Sequence, residues 1–134
     1  MTAVRFENGK RIIRRWNRVF DALSAEPRRQ LVVSLLDRSA DESISLPEAA
    51  VNPNVPPDPE ELRRDLYHRH LPMLEEGEFV EWETDPLTAA RGSRFDEVTV
   101  VLESLQAMAI DIPDSLVVGC QRLERERRDR SEDH

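Results

Sequence analysis

Lysine is nearly missing from this chain: of 19 basic residues, Lys10 alone is not an arginine. Cysteine is equally scarce. A lone Cys120 cannot close an internal disulfide, which excludes a disulfide-stapled scaffold and fits a reducing compartment. The four glycines are scattered singly, so no glycine-rich phosphate loop can be drawn, and neither a nucleophile elbow nor paired metal ligands occur. His68 and His70 are two apart and do not share a helix face as metal-binding pairs at i, i+4 do. With His134 the only other histidine, no zinc site is expected. No apolar run approaches the roughly 20 residues that cross a bilayer. The opening MTAVRFENGKRIIRR lacks the unbroken apolar stretch of a secretory signal, so the chain is read as cytoplasmic. These absences leave no catalytic constellation and no expected cofactor, metal, membrane or small-molecule ligand.

What remains is charge and periodicity. The 134 residues fit one domain with short appendages, and a 39% hydrophobic fraction supplies one core. Charged residues make up 34% of the chain and the net charge is -8. An acid-rich, lysine-poor composition suits a very salty cytoplasm, where carboxylates hold surface water. At about 1 M salt the Debye length shrinks to roughly 3 Å and screens their repulsion.

Ile12, Ile13, Trp16, Val19, Phe20 and Leu23 recur at helical spacing, which predicts a first helix from about Lys10 to Ser24. Pro27 suits the first turn of a second helix, whose stripe is Leu31, Val32, Leu35 and Leu36. Ile44 reads as a very short strand, and Leu46, Ala49 and Ala50 as a short third helix. The segment from Asn52 to Pro59 is too rich in proline for anything but a loop. A fourth helix starts at Asp58 or Pro59 and runs through Leu62, Leu66, Tyr67, Leu71 and Leu74 to Gly77. Pro72 is expected to kink or break it. A strand from Phe79 to Glu83 and its partner from Leu87 to Arg91 make a hairpin. A fifth helix then carries Phe95, Val98, Leu102 and Leu105 on one face. A last helix starts near Asp111 or Pro113 with Leu116, Val117, Cys120 and Leu123 on one side, and the charged tail from Glu124 is expected to fray.

Helix, helix, tiny strand, helix, helix, hairpin, helix is the order of a winged helix-turn-helix, mainly α with a small β-hairpin. The stretch from Val19 to Leu31, VFDALSAEPRRQL, resembles the opening of ArsR-like regulators. Leu66 to Trp82, LYHRHLPMLEEGEFVEW, resembles the recognition helix and first wing strand of a haloarchaeal winged-helix family, many of whose members have no assigned function. The resemblance covers roughly residues 16–105. It implies a sequence-specific, DNA-binding transcriptional regulator of a halophilic prokaryote, with recognition helix 59–76 and wing 79–91. Metal-sensing relatives use cysteine clusters, which this sequence lacks.

On that basis residues 1–109 form the winged domain, and residues 110–134 a helix and charged tail available for dimerisation. A helical wheel turns Arg64 and His68 outward, the best pair for base edges, while Arg69 suits a phosphate. Arg63 and Tyr67 complete the helix's candidate contacts, and Arg91 and Arg94 are candidates for phosphates beside the groove. His70 falls on the apolar arc and is read as a hydrogen-bonded core histidine. The run Lys10, Arg11, Arg14, Arg15 and Arg18 suits either a DNA backbone or an acidic partner. Ile12, Ile13 and Trp16, with Leu116, Cys120 and Leu123, form apolar stripes that predict a homodimer. The alternative is a protein-interaction module that kept this scaffold without DNA binding, and the acidic Glu61 and Asp65 favour it.

Overall fold

The computed structural model describes residues 2–117 and 120–132. The chain divides into two units, residues 1–98 and 99–134. In the first, α1 (Thr2–Leu23) and α2 (Glu26–Leu36) are followed by β1 (Ile44–Ser45) and a 3-10 turn (Glu48–Ala50). Then come α3 (Pro59–Asp65), a π turn (Leu66–His70) and α4 (Leu71–Glu76), which together form one unbroken helical rod. The hairpin strands β2 (Val80–Glu83) and β3 (Thr88–Arg91) lead into α5 (Phe95–Ala107).

The protein is mainly helical with one three-stranded antiparallel sheet in the order β1-β3-β2. Ile44 lies opposite Ala89, which lies opposite Trp82, and Val80 lies opposite Arg91. Because strand side chains alternate with period two, these residues share the inward face. Ile44, Val80 and Ala89 are buried there. The core beneath them is built from Leu31, Val32 and Leu35 of α2, Leu62, Leu66, Leu71 and Leu74 of the rod, and Phe79, Leu87, Phe95 and Val98.

Pro72 neither breaks nor ends the rod. The turn before it widens, with the Leu71 N–H reaching back to the Leu66 carbonyl, and this π turn takes up the proline and its missing N–H without interrupting the helix. The wide turn also lets the adjacent His70 and Leu71 both reach the interior. The rod stops at Gly77 as expected, but the left-handed residue is Glu78, at φ 63°. The Phe79 N–H bonds the Leu74 carbonyl at 3.0 Å across it. Gly77 answers a different demand, since a Cβ there would lie 2.4 Å from the Phe79 ring.

Several expectations are corrected. Helix α1 begins at Thr2, well ahead of Lys10, and its Phe20 is exposed. The expected third helix is a single 3-10 turn, because Pro47 before it and the prolines after it leave no room to propagate. Leu105 is exposed on α5, where Thr99 and Gln106 are buried. In the second unit the expected last helix is two, α6 (Asp114–Val117) and α7 (Gln121–Glu132), and residues 118–119 lie outside the described residues. The charged tail is helical as far as Glu132. Arg127 pairs with Asp114 at 2.6 Å and donates to the Ala109 and Ile112 carbonyls, while Arg130 donates to the Gln106 carbonyl. His134 lies outside the described residues. Among the described residues no helix is long and apolar enough to cross a membrane.

Gly92 joins the hairpin to α5. Its N–H bonds the Phe79 carbonyl at 2.9 Å, and a Cβ would sit 2.5 Å from the Glu78 carbonyl oxygen and 2.8 Å from the Val80 nitrogen. Backbone cannot yield as a flexible side chain does. Gly92→Ala is expected to lower the unfolding free energy by about 1–3 kcal/mol, measured by urea titration.

Candidate nucleic-acid interface

The rod is held by a buried arginine. Arg28 extends the stripe of Leu31, Val32 and Leu35 by one turn and is only 4% exposed. Its Nε donates to the Ala22 carbonyl at 3.1 Å, and its Nη2 to the Asp21 carbonyl at 2.9 Å and the Ser24 hydroxyl at 2.8 Å. Arg29 adds a bond to the Leu23 carbonyl at 2.7 Å. These are the last carbonyls of α1, which have no partner within the helix and carry its negative end. The remaining Arg28 nitrogen, Nη1, lies 2.7 Å from His70 Nδ1. A guanidinium cannot accept, so His70 Nδ1 accepts and the neutral ring carries its proton on Nε2. His70 is thus a hydrogen-bonded core histidine, 1% exposed. Burial, then the charges of Arg28 and Arg69, pull its pKa from 6.5 down to about 4, against a smaller opposing effect of Asp65. Burial likewise lowers the Arg28 pKa, helped by Arg69.

The long loop before the rod is tied down at its start. Glu26 accepts from Gln30 at 2.8 Å, Arg29 at 3.0 Å and Asn52 at 3.0 Å. Burial alone would raise this carboxyl, but these bonds and the Arg29 charge outweigh it and hold the pKa below its usual range. At the far end Asp58 caps the rod by accepting from the Glu60 N–H at 3.0 Å.

With its Leu62, Leu66, His70 and Leu74 side fixed inward, the rod turns Arg63, Arg64, His68 and Arg69 to solvent. None of the four makes a hydrogen bond or ion pair with another described residue. Tyr67 is half-buried and meets the Trp82 ring edge to face at 5.8 Å, which assigns it to packing against the hairpin rather than to an exposed contact. The hairpin arginines are also occupied. Arg91 lies on the inward face, donates to the Leu35 carbonyl at 3.1 Å and the Arg38 carbonyl at 2.7 Å, and covers the Phe95 ring. Arg94 sits between Glu78 and Glu97, 3.2 Å from each. The exposed charged groups of the hairpin are Glu81, Glu83 and Asp85, so its surface is acidic.

In the basic run of α1, Arg15 turns back to Glu97 at 2.6 Å and to the Gly77 carbonyl at 2.8 Å. Arg18 pairs with Glu76 at 3.1 Å. Only Arg11 and Arg14 of the run's arginines are exposed without a described partner, and Lys10 sits over Phe6. Of the expected dimer residues, Ile12, Ile13, Trp16 and Leu116 are exposed, whereas Cys120 and Leu123 are half-buried. Arg28, Glu26 and Asn52 were not singled out from sequence. For Arg28 a signal existed: positions 28, 31, 32 and 35 share helical spacing, which puts a guanidinium on an apolar stripe.

No protein-family model, curated protein or solved structure matches this chain.

His70 makes stability depend on pH. Its folded pKa is depressed, so below 6.5 the unfolded chain takes up a proton first. The His70 contribution is complete above pH 6.5 and is lost as pH falls toward about 4, at up to about 1.4 kcal/mol per unit. His70→Asn keeps an acceptor for Arg28 and cannot titrate. Urea titrations across this window are expected to give a flatter profile for the variant than for the unsubstituted protein.

Proposed function

We propose that this protein is a winged helix-turn-helix regulator that binds double-stranded DNA sequence-specifically, in the cytoplasm of a halophilic prokaryote. The element order, the sheet order β1-β3-β2 and the helix directly before the hairpin support that reading of the fold. The resemblance of residues 66–82 to a haloarchaeal winged-helix family points the same way. The observation that carries the function is the accessible outer face of the rod, where Arg63, Arg64, His68 and Arg69 stand uncommitted.

Arg64 and His68 are one turn apart, a spacing that brings a bidentate donor and an imidazole to neighbouring base edges in a major groove. Arg69 and Arg63 flank them at phosphate height. The hairpin contributes shape rather than charge, since Arg91 and Arg94 are engaged and its exposed charged groups are carboxylates. Tyr67 against Trp82 couples the hairpin to the rod. An interface of this kind has few phosphate contacts. The second reading, a protein-interaction module, is favoured by the same acidic hairpin surface together with Glu60 and Glu61.

Genome-wide crosslinking in cells separates the two. The unsubstituted protein is expected to enrich discrete sites, and a variant with Arg64→Ala and His68→Ala to lose that enrichment. Unchanged occupancy would transfer the case to a protein partner. In vitro, affinity for an enriched site is expected to fall with salt with a log–log slope of about -2 for each protomer bound, reflecting the two arginines assigned to phosphates.

A further inference from the structure

We propose that α1 pairs in an antiparallel seam with the α1 of a second copy of this chain, the Phe20 ring of each seated over Gly9 of the other. This goes beyond the DNA-binding reading and does not depend on it.

Helix α1 leaves large apolar side chains uncovered: Phe6 is 62% exposed, Ile13 61%, Trp16 49% and Phe20 61%. They are not scattered. Positions 6, 9, 13, 16, 20 and 23 alternate by three and four residues, the spacing of a two-helix seam, and five of the six are Phe, Ile, Trp, Phe and Leu. The sixth is Gly9. A glycine inside a helix costs about 1 kcal/mol relative to alanine. The chain's own fold does not demand it, because a Cβ on Gly9 would meet nothing within 4 Å. A hole facing a partner's bulky side chain accounts for it.

Orientation follows from the sequence of the seam. Paired antiparallel, the six positions match in full register: Phe6 faces the partner's Leu23, Gly9 faces the partner's Phe20, and Ile13 faces the partner's Trp16. Each layer then sets large against small or medium. Paired parallel, Gly9 would face its own copy and leave a void, Trp16 would face its own copy and overfill, and Arg5 would flank Lys10 of the other helix. The antiparallel arrangement sets Lys10 beside Asn17 instead, and opposes the two helix dipoles.

Two copies covering Phe6, Ile12, Ile13, Trp16 and Phe20 remove on the order of 1,000 Å² of apolar surface, about the least that a specific interface needs. A lipid surface fits less well. Of the basic run, Arg15 and Arg18 are turned into the chain's own Glu97 and Glu76 and Lys10 lies over Phe6, which leaves only Arg11 and Arg14 for headgroups, and the net charge is -8.

Sedimentation equilibrium of the full chain in molar potassium chloride, at tens of micromolar, is expected to show a dimer. Phe20→Ala is expected to weaken it at least tenfold. Gly9→Leu should do the same by filling the hole, although leucine favours helix and the far-ultraviolet signal should not fall. In a Cys120→Ser background, a chain carrying Gly9→Cys and Phe20→Cys should oxidise to a covalent dimer. Phe6→Cys alone should not, since antiparallel copies hold those positions roughly 25 Å apart. A monomeric unsubstituted protein, whether or not it sediments with phosphatidylglycerol vesicles, would overturn the proposal. So would an unchanged dissociation constant for Gly9→Leu, or crosslinking by Phe6→Cys alone.

Discussion

A guanidinium taken out of water must replace its hydration with well-placed acceptors, or the fold that buries it is lost. Arg28 meets that demand where α1, α2 and the rod come together. Two acceptors are the carbonyls at the end of α1, a third is the Ser24 hydroxyl, and the fourth is the ring of His70. The first three lie together at the end of α1 and the turn after it and the fourth on the rod, so Arg28, itself on α2, ties α1, α2 and the rod to one another. The π turn ahead of Pro72 belongs to the same constraint, because it brings His70 inward beside Leu71 without ending the helix. The arrangement also requires His70 to stay neutral, since a second positive charge 2.7 Å from the guanidinium would be repelled with no water to screen it.

Fixing the inward side of the rod fixes its outward side as well. Arg63, Arg64, His68 and Arg69 reach solvent because Leu62, Leu66 and His70 cannot. Elsewhere in this acidic chain, arginine serves chiefly as a donor to the protein itself. Arg15, Arg91 and Arg127 each close on backbone carbonyls, and Arg18 and Arg94 close on carboxylates. Against that background Arg63, Arg64, His68 and Arg69 stand unengaged on one helix, as Arg11 and Arg14 do on α1, and the proposed DNA contact rests on the first group. An acidic hairpin beside the rod limits that contact to what the rod alone can hold.

Much of this was legible in the sequence. Spacing located the helices, Asp58 and Pro59 marked the start of the rod, Gly77 marked its end, and the place of His70 on the apolar arc announced a core histidine. Arg64 and His68 were read outward for the same reason. What sequence did not yield was the fate of individual guanidiniums. Arg91 shares the parity of Leu87 and Ala89 and so had to face inward, yet a charged strand residue is easily assigned to solvent. Arg94 could be placed only once the backbone brought Glu78 and Glu97 beside it. The frayed tail failed as an expectation because carbonyls from distant turns, invisible in a charge pattern, receive Arg127 and Arg130. Pro72 shows the opposite lesson: proline removes one hydrogen bond, and a widened turn is a milder answer than a broken helix.

The tautomer of His70 is the most direct measure of the constraint on which the rod depends. Long-range proton–nitrogen correlation spectra of the folded protein at neutral pH are expected to show Nδ1 as an unprotonated acceptor and Nε2 carrying the proton, with this state persisting well below pH 6. A ring protonated on Nδ1, or an imidazolium at pH 6, would mean that Arg28 does not hold His70 and that the rod is positioned by something else.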